Sequence, residues 1–198
     1  MELMKLRRRL AIATRGHKLL KDKFDELMKP FLAMVHETRD LRAEVENGIC
    51  DANRLFALAR SELSTGELEE ALLEPKASTE LSVSRHNLVS VSIPVFELHT
   101  EGEFDCYGLA QTPAMLDDAL SSFKELLPLM VRLAQEENAL KVLAAEIEKT
   151  RRRVNALEYV LIPQLQETIR YIKMKLDEIE RGNLTRLMKI KEIVGETL

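Results

Sequence analysis

Apolar residues recur through the first third of the chain in alternating steps of three and four residues. Stepping in this way from Leu3 to Ala59 meets seventeen positions, of which fourteen are apolar. A chain that is 45% apolar would give about eight by chance. The exceptions, His17, Thr38 and Gly48, are interpreted as tolerated polar or small packing sites. A 3.5-residue period sustained over eight heptads is typical of a coiled-coil strand.

The pattern also predicts how far this first helix extends. Leu63 and Leu68 indicate that it continues, less regularly, until Pro75 stops it. At ~1.5 Å per residue such a helix would be roughly 105 Å long, too long for a compact domain of this mass. Pro30 lies inside the pattern, and we expect a kink in the turn before it.

The pattern changes after Lys76, where apolar residues alternate with serine. Period-two alternation of β-branched residues predicts a hairpin of about residues 80–84 against residues 88–95, with its turn at residues 85–87. Pro94 places the second strand at an edge or ends it. Residues 99–110, which include two glycines, are predicted to form a loop.

The second long helix has a clear predicted start. Thr112 suits the N-cap and Pro113 the first helical position. Steps of three and four then continue towards the C-terminus, with two successive steps of four around Pro163. Such a stutter locally unwinds a left-handed supercoil. Pro128 either kinks the helix or lies near the start of its continuous part.

These elements predict an all-α dominated fold, a long two-helix antiparallel coiled coil with a short β-hairpin and loop region at one tip. In that arrangement residue i faces roughly residue 190 − i. We expect a helix over residues 1–74, the hairpin and loop over residues 75–111, and a helix over residues 112–198, together forming one elongated unit.

Charge changes this picture by making the two ends of the predicted coiled coil different. Residues 1–29 carry nine Lys and Arg against four Asp and Glu, whereas residues 62–105 carry two against ten. We expect each end to have its own partner of complementary charge. The net charge of −4 gives no indication of nucleic-acid binding. Only two cysteines and no membrane-length apolar run indicate a cytoplasmic protein that is not inserted in the membrane.

Motifs for catalysis, metal binding or cofactor binding are not found in the sequence. A GxxxxGK[ST] phosphate loop is missing, and the four histidines are far apart without metal-ligand spacing. We therefore predict a non-catalytic protein without a metal or cofactor.

Two blocks of sequence resemble the D subunit, the central rotor shaft of V-type and A-type rotary ATPases. The first block is matched at Ala13, Arg15, Gly16, Leu19, Leu20, Lys21, Lys23, Asp25 and Leu27. The second is matched at Arg151, Arg152, Val154, Asn155, Ala156, Leu157, Glu158, Pro163, Thr168, Ile169 and Ile172. Glu180, Arg181, Lys189 and Lys191 continue the second block, whereas Phe24 and Pro30 depart from the family pattern.

The resemblance implies a rotor shaft that transmits torque between a ring of A and B ATPase subunits and the ion-translocating membrane rotor ring. The basic end would lie inside the A/B ring. The hairpin end would hold the small F subunit of the central stalk and seat on the C subunit, which is called d in eukaryotes. The complex would be membrane-bound, and it would make or consume ATP and transport protons or sodium. This chain would be a peripheral cytoplasmic component of that complex.

Contact residues follow from the resemblance and from the charge pattern. Candidate contacts with the A/B ring are Arg7, Arg8, Arg9, Arg15, Lys21, Lys23, Arg151, Arg152 and Arg153. Candidate contacts with the F and C subunits are Leu81, Val83, Val89, Val91 and Ile93. A coiled-coil chaperone of the prefoldin type and a generic coiled-coil scaffold are the alternative interpretations.

Overall fold

The computed structural model describes residues 2–73, 76–102, 107–108 and 112–196. Two long helical segments flank, in chain order, one antiparallel two-stranded sheet, so the predicted fold class is confirmed. The elements are α1 (Glu2–Glu62), α2 (Thr65–Ala71), β1 (Ser78–Leu88), β2 (Val91–Glu101), α3 (Ala114–Ala156), a π-helix (Leu157–Leu161) and α4 (Ile162–Glu196).

The chain divides into two compact units. Unit 1 comprises residues 1–25 and 148–198, and unit 2 comprises residues 26–147. Unit 1 therefore contains the start of α1, the π-helix and α4. Unit 2 contains the rest of α1, the hairpin and most of α3.

The helices of unit 2 are antiparallel, but in a register different from the predicted one. Arg42 forms an ion pair with Glu137, and the rings of Phe56 and Phe123 meet edge to face with their centroids 6.5 Å apart. The predicted register was wrong, because it placed Arg42 opposite about residue 148. The difference of about eleven residues is close to three helical turns, so the apolar period fits either register equally well.

Close packing between the two helices explains the glycine in the seam of unit 2. A Cβ atom built on Gly48 would lie 2.2 Å from Cδ1 of Leu126, a residue that is buried. Any larger side chain at this position must therefore displace Leu126.

The first helix ends earlier than the sequence pattern predicted. It stops at Glu62, and Ser64 then caps α2 through a capping box: the Ser64 hydroxyl accepts from the Glu67 amide, and the Glu67 carboxylate accepts from the Ser64 amide at 2.9 Å. The prediction of helix up to Pro75 was wrong, since Leu68 packs against Ala59 from a separate short helix. Pro75 itself lies outside the described residues.

The hairpin pairs eleven residues of each strand without interruption, from Ser78 opposite Glu101 to Leu88 opposite Val91. Its turn is Val89–Ser90, with φ angles of 48° and 67°, as a two-residue type I′ turn requires. The predicted turn at residues 85–87 was wrong, because these residues lie within β1.

Part of the predicted loop after the hairpin is also corrected. Residues 99–101 belong to β2, which extends to Glu101. Residues 103–106 and 109–111 of that predicted loop lie outside the described residues.

The hairpin packs on the helices of unit 2 through one face of β2. Val91 and Ile93 are buried in a cluster with Leu27, Ala139 and Leu143. These two β2 residues have the same parity, so their side chains point to the same face of the sheet. Burial of this face anchors a two-stranded sheet that would be marginally stable alone.

Pro94 is accommodated in the middle of β2 by the geometry of the sheet edge. The amide of Phe96 donates to Oε1 of Gln135 at 2.8 Å, so it points away from β1 and towards α3. The nitrogen of Pro94, two residues earlier, faces the same way, and its missing N–H costs no bond between the strands.

The second helical segment begins slightly later than predicted. α3 starts at Ala114, and the Thr112 hydroxyl donates to the Gly108 carbonyl at 3.2 Å instead of capping the helix. The helix is continuous through Pro128, as α1 is through Pro30.

The predicted stutter coincides with the π-helix in unit 1. The amide of Ile162 donates to the carbonyl of Leu157, five residues back, in place of the usual four. Pro163 follows directly, and in a regular α-helix its ring would clash with the carbonyl of Tyr159. The wider π-helical turn relieves that clash.

Candidate binding surfaces

Six arginines in two consecutive triplets dominate the charge of unit 1. Arg7–Arg9 and Arg151–Arg153 are all exposed, and Arg152 also pairs with Glu148 one turn earlier. Successive residues on an α-helix are rotated by about 100°, so three adjacent arginines surround most of the helix instead of forming one patch. Guanidinium groups with this distribution can meet carboxylates approaching from several sides.

The remaining basic candidates for the ring contact lie on α1. Arg15 and Lys21 are exposed, whereas Lys23 is half-buried and already has an interaction within the chain. In sequence, unit 1 carries nineteen Lys and Arg against eleven Asp and Glu. Unit 2 carries ten against twenty-two, so the charge asymmetry expected from the sequence follows the division into units.

An apolar recess lies beside the π-helix. It has a volume of about 400 Å³, and Leu157 and Leu161 of the π-helix line one side of it. The opposite side is formed by α1 residues around Gly16, where an added Cβ would meet nothing within 4 Å. Nε2 of His17 lies 3.3 Å from Oε2 of Glu158 and ties the two helices together at this level.

The last part of α4 exposes every described side chain from Lys173 to Lys191. Large apolar residues are among them: Met174, Leu176, Ile179, Leu184, Leu187, Met188 and Ile190 are all at least 45% exposed. A stretch this apolar and uncovered is typical of a surface that binds another protein.

The hairpin provides a second candidate surface. Leu81 and Val83 of β1 are 50% and 60% exposed, on the face opposite to the buried one. Val91 and Ile93, also predicted as contacts, are buried within the chain, and Val89 packs partly buried beside them. Leu81 and Val83 are therefore the members of this predicted set that can reach a partner.

Sequence reasoning missed two parts of these surfaces. The recess beside the π-helix could have been suspected from the stutter and Pro163, because one extra residue in a helix seam widens the turn. The exposed end of α4 had no such signal: its apolar residues fit the same period as the covered part, and only the register decides which are covered.

Two further findings concern chemistry and membranes. Among the described residues, no three His, Cys, Asp or Glu side chains are grouped so that they could bind a metal ion. Within the same residues, no helix combines the length and the apolar character that crossing a membrane requires.

Comparison with known proteins decides the family. The family model for the D subunit of ATP synthase matches residues 2–192. This chain belongs to the family of ATP synthase D subunits. The resemblance seen in the two sequence blocks is thereby confirmed.

Relatives in this family align over nearly the full chain. A V-type ATP synthase D subunit of Acetivibrio thermocellus is 53% identical over 200 residues, which cover 99% of this chain and 90% of the relative. The protein of the same name from Thermoanaerobacter sp. strain X514 is 53% identical over 196 residues, 98% of this chain and 94% of the relative. One from Clostridium botulinum strain Langeland is 50% identical over 201 residues, 99% of this chain and 93% of the relative. Membership of this family supports a role as a subunit of a rotary ATPase, in a complex that couples ion transport to ATP synthesis.

Proposed function

We propose that this chain is the central rotor shaft of a V-type ATPase and transmits torque between an A/B ring and the membrane rotor ring. Family membership supports this role. The observation that carries it is the surface of unit 1, where two arginine triplets, an apolar recess and the exposed end of α4 occur together. A protein with such a surface gains stability by being enclosed in a partner.

In this proposal unit 1 lies inside the ring of A and B subunits. Guanidinium groups around both helices meet carboxylates of the ring, and the exposed apolar side chains of α4 are buried against it. The two helices differ in side chains around their circumference, so each ring position meets a different face of the shaft. Such unequal contacts stabilise different conformations at different ring positions, which is how rotation and nucleotide state become coupled.

Unit 2 carries the contacts with the rest of the rotor in this proposal. Leu81 and Val83 of the hairpin contact the small F subunit or the C subunit, and the acidic charge of unit 2 distinguishes these contacts from those with the ring. The chain itself is non-catalytic and needs no cofactor, and it acts as a peripheral cytoplasmic component of a membrane-bound complex.

Native mass spectrometry of this chain mixed with the A and B subunits tests the proposal. We expect one copy bound per ring. Self-association into a small oligomer that binds unfolded proteins, without binding to the ring, would instead support the prefoldin-type alternative.

Charge reversal then tests the arginine contacts. The double variant Arg152→Glu and Arg153→Glu should weaken binding to the ring by at least about tenfold or reduce ATP-driven rotation. Its matched control, Arg54→Glu with Arg60→Glu, changes the same charge at exposed positions of unit 2. Unchanged assembly and rotation in the first variant would exclude these arginines from the interface.

A further inference from the structure

The two edges of the hairpin differ in how they are protected. On the outer edge of β2 the amide of Phe96 donates to Gln135 of α3, and Pro94 has no amide to donate. On the outer edge of β1 every residue from Ser78 to Asn87 is exposed. The sheet contains only these two strands among the described residues, so no strand in that part of the chain pairs with the outer edge of β1.

The register of the hairpin decides which backbone groups point to this edge. Val83 lies opposite Phe96, whose amide points away from β1. The two residues of such a pair direct their amides and carbonyls away from each other, and the direction alternates along a strand. The backbone groups directed to the outer edge of β1 are therefore those of its odd-numbered residues, which are Thr79, Leu81, Val83, Arg85 and Asn87.

β1 lacks the features by which exposed edge strands usually avoid pairing. Its eleven residues pair with β2 without a bulge, and they include no proline and no lysine. Leu81 and Val83, both at positions whose backbone faces the outer edge, are 50% and 60% exposed. A long regular edge with exposed apolar side chains is a template on which a further strand can pair.

The charges on β1 favour a second copy of the same strand as the one that pairs there. Antiparallel pairing of two β1 strands centred on Val83 places odd-numbered residues opposite odd-numbered residues, as the backbone requires. In that register Glu80 of each copy faces His86 of the other, and the stem of Arg85 covers Leu81. The symmetric interface thus contains the acid–base pair twice, whereas an arbitrary strand would leave these charges unmatched.

The same charges distinguish this register from its neighbours. The two nearest registers that keep odd-numbered residues opposite each other would place Glu80 opposite Ser84 or Leu88. Either shift loses both acid–base pairs. The register centred on Val83 is therefore the one that the side chains favour.

We propose that the outer edge of β1 pairs with the same edge of a second copy of this chain. The pairing is antiparallel and joins the two hairpins into a four-stranded sheet through about ten backbone hydrogen bonds. Each copy contributes one such edge, so the pairing closes at a dimer. The dimer does not depend on the proposed function. A paired copy cannot offer Leu81 and Val83 to another subunit, so the dimer belongs to the chain before it is assembled.

Sedimentation velocity of the full-length chain over about 1–200 µM tests for the dimer. We expect a monomer–dimer equilibrium with a dissociation constant of the order of 10 µM, as a small interface gives. Val83→Pro removes an amide that faces the outer edge and no hydrogen bond of the hairpin, so it should weaken dimerisation at least about tenfold. The matched control, Ser92→Pro, removes an amide from the outer edge of β2 and should change the constant by less than about twofold.

Exchanging the charges tests the register. Glu80→Lys places a cation opposite His86 of the other copy and should weaken dimerisation by about fivefold, because the pair occurs twice in the dimer. Adding His86→Glu to Glu80→Lys recreates the acid–base pair with its charges exchanged and should recover that loss. A hairpin that merely folds less well would not be rescued by the second substitution.

Four results would overturn the proposal. The first is a monomer at every concentration. The second is a dimer that survives Val83→Pro and is lost in Leu187→Gln, because self-association would then occur through α4. The third is a charge-exchanged double variant that dimerises as weakly as Glu80→Lys alone, because the register would then be wrong. The fourth is protection of the odd-numbered β1 amides from hydrogen exchange only after another central-stalk subunit is added, because that subunit would then supply the strand.

Discussion

Both units of this chain are built on long helices, but they differ in how many side chains those helices bury. Among the described residues, unit 1 buries only Ala13 and Thr150, whereas unit 2 contains all the other buried side chains and both apolar clusters. Unit 1 instead exposes large apolar residues along α4. Unit 2 is therefore stabilised by contacts within the chain, because α2 and the hairpin pack on its helices. Unit 1 exposes apolar side chains of the kind that a partner protein buries.

Truncating one leucine in each unit should separate them most clearly. Leu143 is fully buried in unit 2 and Leu187 is 62% exposed in unit 1. We expect Leu143→Ala to lower the free energy of unfolding by about 3 kcal/mol, and Leu187→Ala to lower it by less than about 0.5 kcal/mol. Urea denaturation followed by circular dichroism measures both, and equal losses would contradict the contrast between the units.

Substituting one glycine in each unit should give changes of opposite sign. Gly48→Leu must displace the buried Leu126 and should cost about 1–3 kcal/mol. Gly16→Ala meets nothing within 4 Å and should add roughly 0.5–1 kcal/mol, because alanine favours the helix. Thermal unfolding of the two variants beside the wild type checks this. A stabilising Gly48→Leu would show that the seam of unit 2 is loosely packed.

Removing the N-cap of α2 tests how much the capping box stabilises this short helix, which contributes Leu68 to the core of unit 2. Ser64→Ala should destabilise α2 by about 1 kcal/mol, seen as faster amide hydrogen exchange over residues 65–71. Hydrogen bonds from Ser64 hold the pKa of Glu67 below its ordinary value of 4.5. The stabilisation is therefore present above that value and is lost as the pH falls through the lower pKa of the folded state.

The pH dependence supplies the control for this third test. Protection of the α2 amides in the wild type should fall once Glu67 is protonated, whereas Ser64→Ala, which keeps the Ser64 amide donor but lacks the hydroxyl acceptor, should remain less protected than the wild type in acid. Ser61→Ala removes only an exposed hydrogen bond to the Leu58 carbonyl and should leave α2 unchanged at every pH. Wild-type protection that does not change as Glu67 is protonated would exclude the carboxylate as a source of the stabilisation.

The smallest expected effect concerns the hairpin turn. Ser90 has a φ angle of 67°, which glycine adopts at lower cost, so Ser90→Gly should add about 0.5–1 kcal/mol. Ser92→Gly lies two residues further on, in β2, and should lose a similar amount. Both changes are measured by thermal unfolding, and equal signs would mean that the turn is not strained.

The sequence correctly predicted the long helices and the family. It did not predict the register in which the two helices pair. Seventeen seam positions were enough to predict a long helix, since few other structures account for an apolar period sustained over this length. The register was wrong because a periodic stripe fits a partner equally well after a shift of whole turns. Arg42 with Glu137 and Phe56 with Phe123 reveal the register, and neither pair stands out in the sequence.

The errors at the hairpin and at the end of α1 have local causes. Val89 and Ser90 occupy a turn that usually takes asparagine and glycine, and partial burial of Val89 against the apolar cluster of Val91 and Ile93 compensates for its φ angle. The capping box of Ser64 and Glu67 was readable in the sequence, but the leucines beyond it continued the apolar pattern. Burial likewise decided that Val91 and Ile93 face the core, since strand parity alone shows only that they share a face.

The π-helix bears on how a chain of this kind tolerates changes in length. A π-helical turn contains one residue more than an α-helical turn, so it takes up an insertion without breaking the helix. Deleting one residue between 157 and 161 would restore the regular turn and leave the 35 residues of α4 facing nearly the same directions, because four α-helical residues wind through almost the same angle as five π-helical ones. A deletion within the regular part of α4 would instead rotate every later side chain by about 100° relative to the turn before it. The π-helix is thus a place where the number of residues can change with little effect on the direction in which the exposed surface of α4 faces.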